Sequence, residues 1–395
     1  MLLVRSMSQL ASTATRAGRG CGIRTVGSLG NTQQGVVSTV RVKCAGRERR
    51  VSCQAVSPRP VSTTTCRGNA TATGSRNAVT FSAVTDTTSK HPQSSSSSPI
   101  YGDPTLYEMA FGFRDFDAEV SFLSRVCEKH GGGGALTSIL EIGAGPAWHS
   151  IASVAKFPDC IAVAVDNAPA MIARAKERAS ESTCGERVAV VEGDMTNLDI
   201  ESIKAEAQAR SLVTQNFCDS TEGKPFFSGF DCATILLGTA AHLIRADDAI
   251  SCFKSVAQLL KTDGVLVLEL EHPFDLFDGQ LLDAQGDAWD REVGDDKNTK
   301  VLVEWGREGD HFDVETHVVE RTVGINVVDE KGSPKNGFVP VEETVRCKIW
   351  TAPEITLLGK LSGMKVVATF GDMATEIPLC HEDAHNMIVV LKRDE

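Results

Sequence analysis

From residue 116 onward, short apolar runs alternate with longer segments in which apolar residues recur at helical spacing. The short runs are rich in Val, Ile and Ala and predict buried strands at 138–142, 161–166, 188–192, 230–237 and 265–270. The longer segments predict helices at 116–130, 147–157, 170–182 and 247–260, and another around 201–210. Strands that are apolar throughout and alternate with helices predict a parallel sheet covered on both faces.

A different pattern follows the fifth predicted strand. Residues 272–346 carry runs in which apolar and polar residues alternate, at 301–305, 312–319 and 339–341, separated by Gly-Asp and Lys-Gly turns. Alternation with a period of two predicts antiparallel strands. This β insertion precedes the last predicted helix, which begins near Pro353. It either covers a binding site or serves as an oligomerisation hairpin.

Charge divides the chain into two parts. Residues 1–99 hold 13 basic and two acidic residues, whereas residues 100–395 carry a net charge of −23. The first part is rich in Ser, Thr, Arg and Gly, so we expect a disordered targeting leader that ends in the serine-rich linker 94–98. The segment around Cys44 resembles chloroplast transit-peptide cleavage sites and favours the chloroplast, with the mitochondrion as the alternative. No apolar run is long enough to span a membrane.

The twelve cysteines predict neither disulfides nor a metal site. Four lie in the leader, and the others show no C-x-x-C pair and no histidine at metal-ligand spacing. Cys160 and Cys232 lie within apolar runs, where cysteine behaves as a small hydrophobic residue. We therefore expect free thiols and no bound metal.

The first predicted strand ends in a glycine-rich turn with the sequence EIGAGPAW, residues 141–148. Gly143 and Gly145 allow a tight turn that a ligand can approach closely, and the N-terminus of the next helix favours an anionic group. Asp166 ends the second strand 21 residues after Gly145, near the spacing at which an acid binds ribose hydroxyls. Together these features predict a nucleoside-containing cofactor.

Trp148 bears on which nucleoside cofactor fits. A dinucleotide-binding site has a small residue at this position, which lets the helix pack closely on the strand. The indole disfavours a pyrophosphate there, which argues against NAD or FAD.

Six segments in this order resemble the motifs of class I S-adenosylmethionine-dependent methyltransferases. They are 141–147, 165–171, 192–195, 230–238, 259–266 and 350–364. The resemblance implies a Rossmann-like, doubly wound, seven-stranded and mostly parallel sheet with helices on both faces, spanning 100–395. The sequence departs from the family at Ala147, where a third glycine is usual, and at Thr262-Asp263-Gly264, which replaces a Pro-Gly turn.

The resemblance also implies a cofactor-binding set. Gly143 and Gly145 would face the methionine moiety, and Glu141 would lie near its ammonium group or anchor the loop. Asp166 would bind the ribose hydroxyls, and Asn167 follows it.

On the adenine side, Asp194 would bond the exocyclic amine of the base and Met195 would contact the ring. Leu237 would line the reactive mouth. The implied cofactor is S-adenosylmethionine. In related small-molecule methyltransferases an insertion like the predicted one covers the cofactor mouth and shapes the acceptor pocket.

The acceptor is predicted to be a small molecule. The net charge of −23 disfavours nucleic acid, and the segment 236–239 lacks the N/D-P-P-Y pattern of DNA amino-methyltransferases. Location alone suggests His242 and His272 as catalytic bases, with Glu271 and Tyr101 nearby. Residues for binding the acceptor are predicted in the same way: Tyr107, Arg321 and Arg346. Three alternatives remain open: a protein or RNA methyltransferase, a non-catalytic subunit that binds adenosylmethionine, and an NAD(P)-dependent oxidoreductase.

Overall fold

The helices and strands fall into two units. The computed structural model describes residues 38–44, 47–53, 98–214, 227–272, 287–293 and 296–394. The strands are β1 (Ser38–Cys44), β2 (Arg47–Cys53), β3 (Ser138–Ile142), β4 (Ile161–Asp166), β5 (Val188–Glu192), β6 (Phe230–Ile235), β7 (Leu260–Glu271), β8 (Asp287–Val293), β9 (Asp296–Trp305), β10 (His311–Asp313), β11 (Val318–Asp329), β12 (Val341–Lys348), β13 (Met364–Phe370) and β14 (Asn386–Arg393). The helices are α1 (Pro99–Gly102), α2 (Pro104–Phe111), α3 (Phe116–His130), α4 (Trp148–Lys156), α5 (Pro169–Glu181), α6 (Ile200–Thr214), α7 (Ala246–Leu259) and α8 (Ala352–Leu361).

The smaller unit contains β1 and β2, which pair in antiparallel register from Ser38 with Cys53 to Cys44 with Arg47. Both strands lie within residues 1–99, for which a disordered targeting leader stays a prediction. Its segment 38–44 alternates β-branched with other residues, a strand-like pattern that the compositional argument did not use. The rest of the leader, up to residue 97, lies outside the described residues.

The larger unit is built on a seven-stranded sheet in the order β13-β14-β7-β6-β3-β4-β5. Strands β3 to β7 are parallel, and β14 is antiparallel to both of its neighbours. Side chains of α6, α7 and α8 pack on one face, and those of α3, α4 and α5 pack on the other. The predicted doubly wound fold is confirmed, and the carboxyl ends of the five parallel strands meet at one edge.

The β insertion forms a second, antiparallel sheet. In it β11 pairs with β9, β10 and β12, and β8 pairs with β9. Two of the predicted strand boundaries were wrong. The run 312–319 is interrupted by a turn, because Asp313 accepts hydrogen bonds from the backbone of Glu315 and Thr316 and ends β10. β12 begins at Val341, so Val339 and Pro340 lie outside it.

Two helices that were not predicted, α1 and α2, precede the sheet. Ser98 and Asp103 cap them with side-chain oxygens, and a proline follows each cap. Their apolar side chains pack with the second sheet and with Trp148 in one cluster. The Ser98 hydroxyl donates a hydrogen bond to Glu343 on β12. Among the described helices, none is long and apolar enough to cross a membrane.

Candidate active site

The glycine-rich turn between β3 and α4 has an unusual backbone. Gly143, Gly145 and Ala147 all have positive φ, at 63°, 51° and 59°. A Cβ on Gly143 would lie 2.3 Å from Cγ2 of Thr239, which belongs to the turn after β6. Glycine at 143 therefore meets both the left-handed φ and the close approach of two turns at the carboxyl edge of the sheet.

Asp166 lies directly against this turn. One carboxylate oxygen accepts the Gly145 N–H at 2.7 Å, and the other accepts the Ala168 N–H at 2.8 Å. Burial raises the pKa of Asp166, and the backbone hydrogen bonds offset only part of that effect. The turn and the acid that the sequence paired are thus in direct contact.

The remaining residues of the predicted cofactor-binding set on this side follow β4 and β5. The Gly193 N–H donates to the Asp166 carbonyl at 2.9 Å, which brings the two strand ends together. Asp194 is exposed, and its Oδ1 accepts hydrogen bonds from the backbone N–H and hydroxyl of Thr196. Asn167 is exposed, and Met195 packs on the core.

Glu141 anchors the turn by joining β3 to the first turn of α4. Its side chain is 5% exposed and accepts hydrogen bonds from the Ser150 N–H at 2.8 Å and the Ser150 hydroxyl at 2.6 Å. Its other oxygen lies 3.0 Å from Nδ1 of His149. Of the two roles implied for Glu141, these contacts support the anchoring one.

A chain of buried charged side chains continues from Glu141, and the sequence analysis missed it. Nε2 of His149 lies 2.7 Å from Glu119, and Nε of Arg114 lies 2.5 Å from the other oxygen of Glu119. Arg114 also donates to both oxygens of Glu269 on β7, at 2.8 and 3.1 Å. We call these five residues the buried charge chain.

The buried charge chain ends at the turn after β6. Glu269 accepts the backbone N–H of Leu237 at 2.8 Å, and Leu237 has a φ of 55°. A non-glycine residue rarely adopts this conformation, so the hydrogen bond to Glu269 helps to hold it. Leu237 is the residue predicted to line the reactive mouth.

His149 carries a positive charge in this setting. Both ring nitrogens face carboxylate oxygens, so both must donate. Burial alone would lower the pKa of His149, but the hydrogen bonds to Glu119 and Glu141 outweigh burial and raise it to about 9. Burial would likewise raise the pKa of Glu119, yet the Arg114 charge and His149 lower it.

An aromatic stack covers the glycine-rich turn. Tyr107 on α2 stacks on Trp148, with ring centroids 5.7 Å apart and planes 17° apart, and Trp148 stacks on Phe116 at 4.9 Å. A Cβ on Gly145 would lie 3.8 Å from the Tyr107 ring. Trp148 thus serves as a buried platform, and Tyr107 lies between the turn and the second sheet's apolar cluster.

His242 and Tyr101 form a pair on the other side of Tyr107. The Tyr101 hydroxyl lies 3.0 Å from Nε2 of His242, and the rings of Tyr101 and Tyr107 are 5.9 Å apart. Burial lowers the pKa of His242, so its imidazole is neutral near pH 7. Burial also raises the pKa of Tyr101, which keeps its phenol protonated.

The other predicted acceptor-side residues are distributed differently. Nε2 of His272 lies 2.8 Å from the carbonyl oxygen of Leu379. Arg321 is buried and forms an ion pair with Glu271 at the end of β7. Arg346 is exposed and pairs with Glu320 at 3.5 Å, on the face of β12 opposite the buried Val345 and Cys347. The structure therefore does not bring Arg346 to the Tyr101–His242 pair.

Comparison with known proteins agrees with this geometry. Residues 139–209 match the family model described as a methyltransferase domain, and this segment contains the glycine-rich turn, Asp166 and Asp194. The chain carries a methyltransferase domain. The resemblance to methyltransferases drawn from the sequence is confirmed. No curated protein sequence matches the chain.

Solved structures resemble the chain in fold. An S-adenosylmethionine-dependent methyltransferase from Clostridium acetobutylicum has a TM-score of 0.52 at 15% identity, covering 73% of this chain and 96% of its own. DesVI from Streptomyces venezuelae has a TM-score of 0.49 at 15% identity, with 73% and 97% covered. KedS8 from Streptoalloteichus, a sugar N-methyltransferase, has a TM-score of 0.48 at 20% identity, with 73% and 92% covered. The first of these structures shows that the chain shares its fold.

The residues that the sequence did not reveal are the members of the buried charge chain other than Glu141, which lie far apart along the sequence and meet only in the fold. Glu269 gives a usable signal, because a carboxylate in the middle of an apolar strand needs a buried partner. Nothing in the sequence identifies Arg114 as that partner. For α1 and α2 the signal was the pairing of a capping residue with proline at Ser98 and Asp103.

Proposed function

We propose that the methyltransferase domain binds S-adenosylmethionine and transfers its methyl group to a small-molecule acceptor. The observation that supports this most strongly is the 2.7 Å hydrogen bond between Asp166 and the Gly145 N–H, which joins a strand-end acid to the glycine-rich turn at the carboxyl edge of the sheet. The family match to residues 139–209 supports the same proposal.

The residues at the carboxyl edge fit this cofactor. Gly143 and Gly145 give the turn its left-handed backbone at the edge where the methionine moiety would bind. Asp166 offers a carboxylate for ribose hydroxyls, and exposed Asp194 could accept a hydrogen bond from the adenine amine. Bound adenosylmethionine supplies a methyl group on a positively charged sulfur. Trp148 fills the position that a dinucleotide fold keeps small, which disfavours NAD(P).

For the acceptor, the chain's own residues have three tasks: to exclude water, to orient the acceptor atom and to remove its proton. Tyr107 and the apolar cluster beneath the second sheet would exclude water. We assign proton removal to His242, because its imidazole is neutral and half-buried beside Tyr101. His272 is the weaker candidate, since its Nε2 faces the Leu379 carbonyl and must donate to it, whereas the Tyr101 hydroxyl can donate to Nε2 of His242. Arg321 already has Glu271 as a partner, so it would contact an acceptor carboxylate only by sharing that charge.

Labelled methyl transfer tests the proposal. The full chain is incubated with S-adenosylmethionine carrying a labelled methyl group and a plastid metabolite extract from which macromolecules have been removed. We expect label in a small molecule and release of S-adenosylhomocysteine. Label found only in protein or RNA when those fractions are added back would contradict the small-molecule acceptor. Cofactor binding without any transfer would favour a non-catalytic subunit.

We also propose a chloroplast location, supported by the acid-poor composition of residues 1–99. A fluorescent fusion carrying these residues should enter plastids. Import into mitochondria instead would contradict this location.

A further inference from the structure

We propose that Arg114 is a positioning residue for the cofactor: through the buried charge chain it holds the glycine-rich turn and the turn after β6 in one arrangement. The identity of the cofactor in this inference rests on the proposed function. The coupling between the two turns does not, because it follows from contacts within the chain.

The geometry of Arg114 suits this role. Its guanidinium donates through Nε to Glu119 and through Nη1 to Glu269, so a single planar group joins two carboxylates from different elements. Glu119 lies in the first turn of α3, and Glu269 lies within β7. A lysine at 114 keeps the charge but has no planar fork with fixed donors in two directions. Arg114 should therefore not be replaceable by lysine without a change in geometry.

One end of the buried charge chain reaches left-handed backbone, and the other reaches the first helical turn after a left-handed residue. At one end, Glu269 accepts the N–H of Leu237 itself. At the other end, Glu141 accepts the N–H of Ser150, in the first turn of α4 after Ala147. The two turns also touch directly, since Gly143 approaches Thr239 so closely that no Cβ fits. A shift of either turn would disturb the other.

Arg114 is also placed to hold the aromatic cover. It lies between α2, which carries Tyr107, and α3, which carries Glu119. Tyr107 stacks on Trp148 over Gly145. The ion pairs of Arg114 therefore tie the end of α2 to the sheet at the point where the cover meets the glycine-rich turn.

The opposite edge of the same sheet provides a matched control. Asp231 at the start of β6 accepts hydrogen bonds from the backbone and hydroxyl groups of Thr137 and Ser138, and from Lys261 at 2.7 Å. This carboxylate is half-buried and also accepts several hydrogen bonds, but it lies at the amino ends of the strands. Removing its charge should affect folding without affecting the two turns.

The experiment compares the full chain with its Arg114→Lys, Glu269→Gln and Asp231→Asn variants. Calorimetry measures the affinity for S-adenosylhomocysteine, amide hydrogen exchange follows the Gly145 and Leu237 N–H groups, and thermal melting follows stability. We expect Arg114→Lys to weaken binding at least ~10-fold and to accelerate exchange at both amides. Asp231→Asn should lower the melting temperature and leave affinity and both amides unchanged.

Two outcomes would overturn the inference. One is an Arg114→Lys variant that melts earlier but binds S-adenosylhomocysteine as the wild type does. The other is faster exchange at Leu237 with no change at Gly145. If Arg114→Lys does not fold, Glu269→Gln carries the test. It removes the charge that pairs with Arg114, so the same weaker binding and faster exchange are expected, while its amide oxygen can still accept the Leu237 N–H. A wild-type chain that does not bind S-adenosylhomocysteine would refute the proposed function, while the exchange of the two amides would still decide the coupling.

Discussion

Deprotonating His149 should destabilise the fold at alkaline pH. The imidazolium donates to Glu119 and Glu141 in the absence of solvent, since its side chain is fully buried. Once one ring nitrogen loses its proton, that nitrogen faces a carboxylate oxygen with no hydrogen between them. The hydrogen bond is then replaced by repulsion between a lone pair and a buried negative charge.

The size of the effect follows from proton linkage. Each tenfold change in proton affinity corresponds to about 1.4 kcal/mol. A pKa raised from 6.5 to about 9 therefore corresponds to roughly 3 kcal/mol of stability. Because the folded pKa lies above the unfolded one, this contribution is fully present below the unfolded value and is lost as the pH rises through the folded value.

Urea unfolding followed by tryptophan fluorescence between about pH 6 and about pH 10 measures this directly. The His149→Gln variant is the control, because the other groups that ionise over this range in the unfolded chain are common to both proteins. The difference in unfolding free energy between wild type and variant should shrink by roughly 3 kcal/mol across the range. A difference that stays constant across the range would show that His149 is not charged in the folded protein.

Three further substitutions test the site. Asp166→Asn should weaken S-adenosylhomocysteine binding at least ~10-fold in calorimetry because the ribose hydroxyls lose a charged acceptor; unchanged affinity would remove Asp166 from the cofactor site. Gly143→Ala should cost at least about 1–2 kcal/mol in urea unfolding, whereas Gly134→Ala, in open space and without a positive φ, should cost less; equal losses would contradict the account of the turn. His242→Gln should lower the rate of methyl transfer to the acceptor by about 100-fold or more and remove the fall of that rate at acidic pH. His272→Gln should do neither. The reverse result would assign the base to His272.

Much of the cofactor side was predictable from the sequence. The strand ends follow from apolar runs, and the carboxyl ends of parallel strands meet at one edge of the sheet. Asp166 and Gly145 could therefore be paired from spacing alone, and they are in contact. The antiparallel insertion was also predictable, because its apolar and polar residues alternate with a period of two.

The acceptor side and the buried charge chain were not predictable in this way. The contact of Arg114 with Glu269, like that of Tyr101 with His242, depends on how two helices before the sheet pack against it. No local periodicity records such packing. Arg346 is a different case, because alternation along β12 already indicated that it lies opposite buried Cys347, and location alone was the poorer guide.

Calorimetry of the full wild-type chain with S-adenosylmethionine, S-adenosylhomocysteine and NAD decides which cofactor the domain holds. We expect both adenosyl ligands to bind with 1:1 stoichiometry and NAD not to bind. Binding of NAD with no binding of either adenosyl ligand would refute the proposed cofactor.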